Sequence, residues 1–252
     1  MVKRLWWTHV VTALLGLLGC CAMNALAAPA ERRMVVVGVH ESFPWSYSTP
    51  GNVILGLERD IIAAAFEVQN IDVQFQAMSY SRLLTEFQAK RLDFASPVAI
   101  DVPGAFFTDK FLPFHDVAVT LKSRGITIER VSDLSNKSVI AYQEATKVLG
   151  AEYSAAVAAS RYTEMANRGE QIRQLFDHRA DVVVGESRVS HCLAEALYGR
   201  DQITRHAVFP QVSYGGATWD KKLLEQFQAG LKAIKQSGQY QKILNRPCPA
   251  PQ

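Results

Sequence analysis

From Met34 onward, short apolar runs take turns with amphipathic stretches of about ten residues, and that alternation narrows the folds open to this chain more than any other feature. Met34 to His40 (MVVVGVH) reads as a buried strand. Glu58 to Gln69 carries Ile61, Ile62, Ala65 and Phe66 at helical spacing, and Ile71 to Ala77 alternates as a strand. Tyr80, Leu83, Leu84 and Phe87 then fall on one helix face before Leu92 to Ala95 returns to strand. Strands alternating with helices imply parallel α/β units joined by right-handed crossovers.

The pattern restarts further on. Asp116 to Lys122 is strand-like, Lys137 to Tyr142 is a strand, and Ala145 to Ala158 and Arg168 to His178 are helices. Val212 to Thr218 is one more strand. Asp220 then caps a long helix carrying Leu223, Leu224, Phe227, Leu231 and Ile234, and Gly238 separates a short last helix from a Pro-rich tail. Leu84, Phe87, Arg91, Asp93 and Phe94-Ala95 are echoed at identical spacing by Ile172, Leu175, Arg179, Asp181 and Val182-Val183. A chain of 252 residues accommodates two lobes of roughly 100 residues each. With no low-complexity linker between the halves, the chain is expected to cross on strands, near Val117 to Thr120 and Phe209 to Tyr214.

The first residues stand apart. Lys3 and Arg4 precede the apolar run Leu5 to Ala22, and Ala25-Leu26-Ala27 fits the small-x-small cleavage pattern of an export signal, placing the mature start at Ala28. A rival reading is the lipoprotein-like Leu17-Leu18-Gly19-Cys20, in which Cys20 would be acylated. Loss of Lys3 and Arg4 lowers the formal net charge from +3 to +1, a balance that implies no nucleic-acid partner. Export leaves Cys192 and Cys248 in an oxidising compartment, where they pair if the fold brings their Cα atoms within about 7 Å. The five histidines of the mature chain are scattered, so no metal site is expected.

Taken in order, GVHESFPWSY, GLERDIIAAAF, RLLTEFQAKRLDF, FFTDKFLPF, SDLSNKSVIAYQEAT, IRQLFDHRADVVVGES and LLEQFQAGLKAIKQSGQYQKIL resemble the extracellular solute-binding proteins of family 3 from about Met34 to Leu244. The resemblance implies the two-lobed α/β fold of a type II-like periplasmic binding protein, each lobe a mostly parallel sheet flanked by helices. Its expected divisions are a signal at 1–27, one lobe from 28–117 and 211–246, the other from 118–210, and a tail at 247–252. It further implies a monomeric periplasmic receptor that closes on a small polar, amino-acid-like ligand for an inner-membrane ABC permease, with no cofactor. Physics supports such a cleft, because open parallel sheets bind ligands beyond their strand C-termini, where helix N-termini offer unpaired N–H groups.

Site residues follow from the same resemblance. In ESFPWSY, Phe43 and Trp45 are the aromatics expected to pack on a ligand, with Tyr47 beside them. Glu186 in RADVVVGES stands where an ammonium-binding acid belongs. Gln143 and Thr146 of YQEAT correspond to a carboxylate-holding helix start, although Ala145 replaces a glycine there. The segment FASPVAIDVPGAF offers Ser96 but no arginine, so the usual carboxylate clamp is missing and Arg59, Arg188 or Lys110 must substitute unless the ligand differs. Two other functions remain open at this stage: a ligand-sensing or interaction subunit without transport, and a cyclohexadienyl-dehydratase-like enzyme in which Glu186 does acid chemistry.

Overall fold

A computed structural model of the protein describes residues 33–249, so the export-signal and Cys20 readings lie outside the described residues. The first half opens with β1 (Arg33–His40), whose run of valines suits a strand buried on both faces. A small hairpin of β2 (Tyr47–Ser48) and β3 (Ile54–Leu55) leads into α1 (Leu57–Glu67). Then come β4 (Ile71–Met78), α2 (Tyr80–Gln88), β5 (Phe94–Val98), β6 (Phe106–Phe107) and the long β7 (Leu112–Leu121). Parallel pairing of β1 with both β4 and β5 makes this half the α/β unit that the alternation required.

The second half repeats the scheme with β8 (Ser138–Ala141), α3 (Ala145–Ala158), β9 (Arg161–Glu164), α4 (Arg168–Phe176), β10 (Val182–Glu186), α5 (Ser187–Tyr198) and β11 (Ile203–His206). Here β8 pairs in parallel with β9 and β10. The chain returns through β12 (Gln211–Thr218), α6 (Lys221–Gln236) and α7 (Gln239–Leu244). Strand order is β4-β1-β5-β12-β7-β10-β8-β9, so β12 and β7 sit in the middle and join the halves. Asp220 caps α6 as expected, its carboxylate accepting from the amides of Lys222 and Leu223.

The two central strands pair antiparallel from Leu112–Tyr214 to His115–Gln211, and from Asp116 onward β7 pairs with β10 instead. Val117 to Thr120 therefore belongs to the second half's sheet, and the passage between halves falls slightly earlier than the sequence suggested. Pro113 and His115 interrupt the apolar run, which hid the first part of this strand.

The echoed Arg-x-Asp segments are one structural device used twice. Asp93 accepts from the Val36 amide at 2.8 Å while its own amide donates to the Val36 carbonyl. Asp181 does the same with Ser138, accepting its amide at 2.8 Å and returning its own to the Ser138 carbonyl. Each aspartate thus locks an incoming strand onto the first strand of its half. The preceding helices also end alike, with the amides of Arg91 and Arg179 reaching back five residues to the carbonyls of Glu86 and Gln174.

The first half's core contains Val35, Val37, Ile61, Phe66 and Phe94, closed by Phe227 and Leu231 of α6. Helices α1 and α6 meet at Gly230, where a Cβ would lie 1.9 Å from the Ala65 carbonyl oxygen, so no larger residue permits this approach. The second half holds Val139, Tyr153, Val157, Val182 and Val184 on one side of its sheet and Ile172, Leu175, Val183 and Ala194 on the other. Helix α5 serves both cores, because Val189 lies with the first half's residues and Ala194 with the second's. Cys192 on α5 is bridged to Cys248 in the tail with their Cα atoms 5.3 Å apart. Arg188 ties the same elements by donating to the carbonyl of Leu244 at 2.7 Å.

Candidate functional site

Parallel strands deliver polar residues to their carboxyl ends, and here those ends carry His40 on β1, Glu164 on β9 and Glu186 on β10, with Tyr142 immediately after β8. Helices α3, α4 and α5 begin at the same edge, so their unpaired amides face the same region. Arg168, the first residue of α4, lies over the Tyr142 ring with its guanidinium carbon 4.8 Å from the centroid. The Tyr142 hydroxyl donates to Asp116 on β7 at 3.1 Å, and Asp116 is cross-strand neighbour to Glu186. The field of Arg168 reaches His40 in the first half as well as Asp116 and Glu186 in the second, so one guanidinium sits among groups from both.

The electrostatics describe a site short of counter-charges. Burial pushes the Asp116 carboxyl above its ordinary range, partly offset by Tyr142 and the Arg168 charge. Burial raises Glu186 too, with hydrogen bonds from Trp45 and the Val189 amide opposing it. Arg168 is pulled down by burial, and its Nη1 is buried without a hydrogen-bond partner among the described residues. His40 is lowered to about 4, first by burial and then by the Arg168 charge, so it is neutral at pH 7. An arginine with an unused donor beside two carboxyls held above their usual range suits a molecule bearing both an anionic and a cationic group.

The structure joins two of the residues expected from the sequence. Trp45 Nε1 donates to Glu186 Oε2 at 3.1 Å, linking the first loop of one half to the helix-capping acid of the other. Trp45 is only 2% exposed and packs against Phe114 at 4.8 Å between centroids, so in this conformation it latches the halves instead of offering an open ring. Phe43 is half-buried and packs edge-on against Tyr47. Glu186 also caps α5 by accepting from the Val189 amide at 2.8 Å.

The other expected residues lie in different settings. Ser96 is fully buried and donates to Glu58 at 2.7 Å, and Ser46 donates to the second oxygen of the same carboxylate. These three form an internal polar knot beneath the Trp45 loop, and burial pushes Glu58 to about 7. Arg59 pairs with Asp60 at 2.9 Å and lies over Phe75 on β4, away from Arg168 and its neighbours. Gln143 is exposed next to the start of α3, where Glu144 takes the left-handed conformation (φ 65°) and Ala145 is wholly buried. The backbone turn thus falls one residue before the alanine that replaces a glycine. The Thr146 amide and the Glu144 amide point at the Glu164 carboxylate, at 3.5 and 2.7 Å.

Sequence reasoning passed over His40, Asp116, Tyr142, Glu164 and Arg168. Their signal was positional: four of the five lie at or within four residues of a parallel strand's carboxyl end, which an apolar periodicity does not weigh. The grouping of His191, Glu195 and Cys248 brings ligating atoms within 4.8 Å of one another, but the cysteine is already spent in the disulfide.

These features define the class of the two-lobed periplasmic binding proteins. The ancestral arginine-binding protein solved with arginine is similar over 84% of this chain and 96% of its own at a TM-score of 0.69, with 19% identity. A histidine kinase sensor domain with similarity to periplasmic binding proteins gives 0.70 over 84% and 95%, with 18% identity. In sequence, the arginine-binding periplasmic protein of Mannheimia haemolytica is 24% identical over 226 residues, which span 86% of this chain and 92% of that one. The profile of bacterial extracellular solute-binding proteins, family 3, matches residues 35–246, and the chain belongs to that family. No helix among the described residues is long and apolar enough to cross a membrane.

Proposed function

We propose that this protein is the periplasmic receptor of an ABC transporter for small polar solutes that carry an amine and an acid. The observation that carries the reading is Arg168, whose free Nη1 lies among Asp116, Tyr142 and Glu186 at the edge where both halves meet. Arg168 takes the place of the clamp missing between Asp93 and Phe107 and receives the ligand's anionic group, while Asp116 and Glu186 receive its cation. The similarity to arginine-binding proteins supports a cationic amino-acid-like ligand. Export behind Ala27 fits a periplasmic location, an inner-membrane permease is the natural partner, and the monomer binds without turnover. The lobes follow the expected division of 28–117 with 211–246 and 118–210, with the first crossing moved to about Asp116, where β7 leaves β12 for β10. Similarity to a kinase sensor domain favours a second reading, in which the same closure reports to a partner protein instead of a permease.

The test is thermal unfolding of residues 28–252 with amino acids, their decarboxylated amines and organic acids. A ligand at a hundredfold its Kd stabilises by about 2.7 kcal/mol, raising Tm by about 5–10 °C. Arg168→Ala is expected to abolish the shift for any compound that gives one. A flat response across the panel refutes the solute class, and an undiminished shift in the variant refutes the role of Arg168.

A further inference from the structure

Strand β9 is the outer edge of the second half's sheet, and its alternating side chains serve two different places. Tyr162 and Glu164 turn towards Tyr153 and the start of α3, whereas Arg161 and Thr163 line a cavity of about 310 Å³ bounded by β8 and the end of α4. Ile140 and Met165 give this cavity its apolar lining, and Gln174 and Arg179 complete the polar one. Arg161 opens β9, and Arg179 stands two residues before Asp181, whose carboxylate holds Ser138 at the first position of β8. Both arginines thus start from the amino end of these strands, opposite the edge where Tyr142, Glu164 and Glu186 gather. Neither forms an ion pair among the described residues, and the acids nearby are engaged: Asp181 with Arg124 at 2.7 Å and with Ser138, and Glu170 with Gln174 at 2.7 Å and Arg173 at 3.6 Å.

The first half shows that the scaffold has no need of this charge. There the same strand lock joins Val36 to Asp93, the residue opposite Val36 on the next strand is Gln74, and five positions before Arg91 stands Glu86, which pairs with it. In the second half the residue opposite Ser138 is Arg161, and five positions before Arg179 stands Gln174. A cation thus replaces a neutral residue and an amide replaces the carboxylate, so the second trio carries two positive charges where the first carries none in sum. Two like charges lining one cavity repel, and an anion between them turns that repulsion into attraction. We propose that the cavity is a second binding site, for a phosphate group held in the guanidinium forks of Arg161 and Arg179 with the Thr163 hydroxyl as a further donor. Its volume leaves room for an organic substituent, so the phosphate belongs either to a soluble monoester or to the headgroup of an acidic phospholipid. The residues of this cavity are distinct from the group around Arg168, and its occupancy does not rest on the solute-binding reading.

Calorimetric titration of the mature protein with sodium phosphate, at an ionic strength held constant with sodium chloride, tests this. Saturable binding is expected at millimolar concentration or below, and glycerol 3-phosphate should bind alongside it. Arg161→Gln copies Gln74 of the first half, and Gln174→Glu copies Glu86 and gives Arg179 an internal partner. Each should weaken phosphate binding about tenfold or more, as the loss of one charge-assisted contact warrants. Arg161→Gln leaves the Gln174 donation to Glu170 intact, so it carries the test if Gln174→Glu loses its native circular dichroism. Co-sedimentation with phosphatidylglycerol vesicles, against phosphatidylcholine alone, tells the two sources apart. Sedimentation that falls in the variants assigns the site to the headgroup, whereas binding of phosphate and glycerol 3-phosphate without sedimentation assigns it to a soluble ester. Binding of neither phosphate nor acidic vesicles, or binding of either kind that Arg161→Gln leaves undiminished, overturns the proposal.

Discussion

Removing the Cys192–Cys248 bridge should destabilise this protein through its unfolded state. The two residues are 56 apart in sequence, and closing a loop of that length removes about 14 cal/mol/K of chain entropy, or about 4 kcal/mol at 25 °C. Cys192 is 1% exposed, so the double variant Cys192→Ala with Cys248→Ala is preferable to serine, which would bury an unpaired hydroxyl. Urea unfolding followed by circular dichroism is the assay, with the parent measured both oxidised and reduced. With a slope of about 2 kcal/mol/M, the midpoint should fall by about 2 M, and Tm by about 8–16 °C. The reduced parent should match the double variant, because both lose the same link. A loss below about 1 kcal/mol in both would refute the entropic reasoning, since the segment between the cysteines would then already be ordered in the unfolded chain.

Other consequences can be checked in the same way. Burial holds Glu58 at about 7 in the folded state against 4.5 for the free group, so folding takes up a proton there. The stability this contributes is full below about pH 4.5 and is lost as pH rises through about 7, and Glu58→Gln should flatten the fall between pH 5 and 8 in urea midpoints. Trp45→Phe keeps the ring but removes the donor to buried Glu186, an expected cost of about 1–3 kcal/mol that a fluorescence-independent unfolding probe would read. Asp93→Ala and Asp181→Ala, which remove the same strand lock from each half, should each cost about 1–3 kcal/mol. Asp181 has in addition a carboxyl held low by Ser138 and Arg124 against the pull of burial, so its contribution should fade as pH falls through its lowered value.

Much of the fold was legible because the strongest signals were apolar and periodic. Ala145 to Ala158 is helical at both ends of the range its spacing gave but is broken at Gly150 (φ 88°), and the Asp220 and Gly238 boundaries hold. The strands β9 (RYTE) and β11 (ITRH) escaped notice because each has four residues, few of them apolar, at positions that shelter little from water. Helix α5 was given no bounds from spacing, and Glu186, where the resemblance places a ligand contact and the dipole favours a helix-capping acid, is its cap. The site was less legible for a related reason. Motif order pointed to Trp45 and Glu186, and the structure brings them together, but no spacing rule announces that Glu164 lies across a sheet from Thr146 or that Arg168 rests on Tyr142. Such contacts are made between elements, and they exist only once β8, β9 and β10 have been laid side by side.

Two neighbouring strands, β7 and β12, act like the leaves of a door hinge and leave the halves one easy rotation about the line they share. The Cys192–Cys248 bridge adds a third attachment, off that line, between a helix that lies before the second crossing and a tail that lies after it. A panel fixed at two points along its axis swings freely, whereas one tethered at a third point swings only as far as the tether reaches. Because α5 carries both the tether and the Glu186 cap, an opening motion must either leave α5 with the tail and slide the rest of its half past it, or stop short. Reduction would remove the covalent part of that third attachment and leave the Arg188 contact to the Leu244 carbonyl as its remainder.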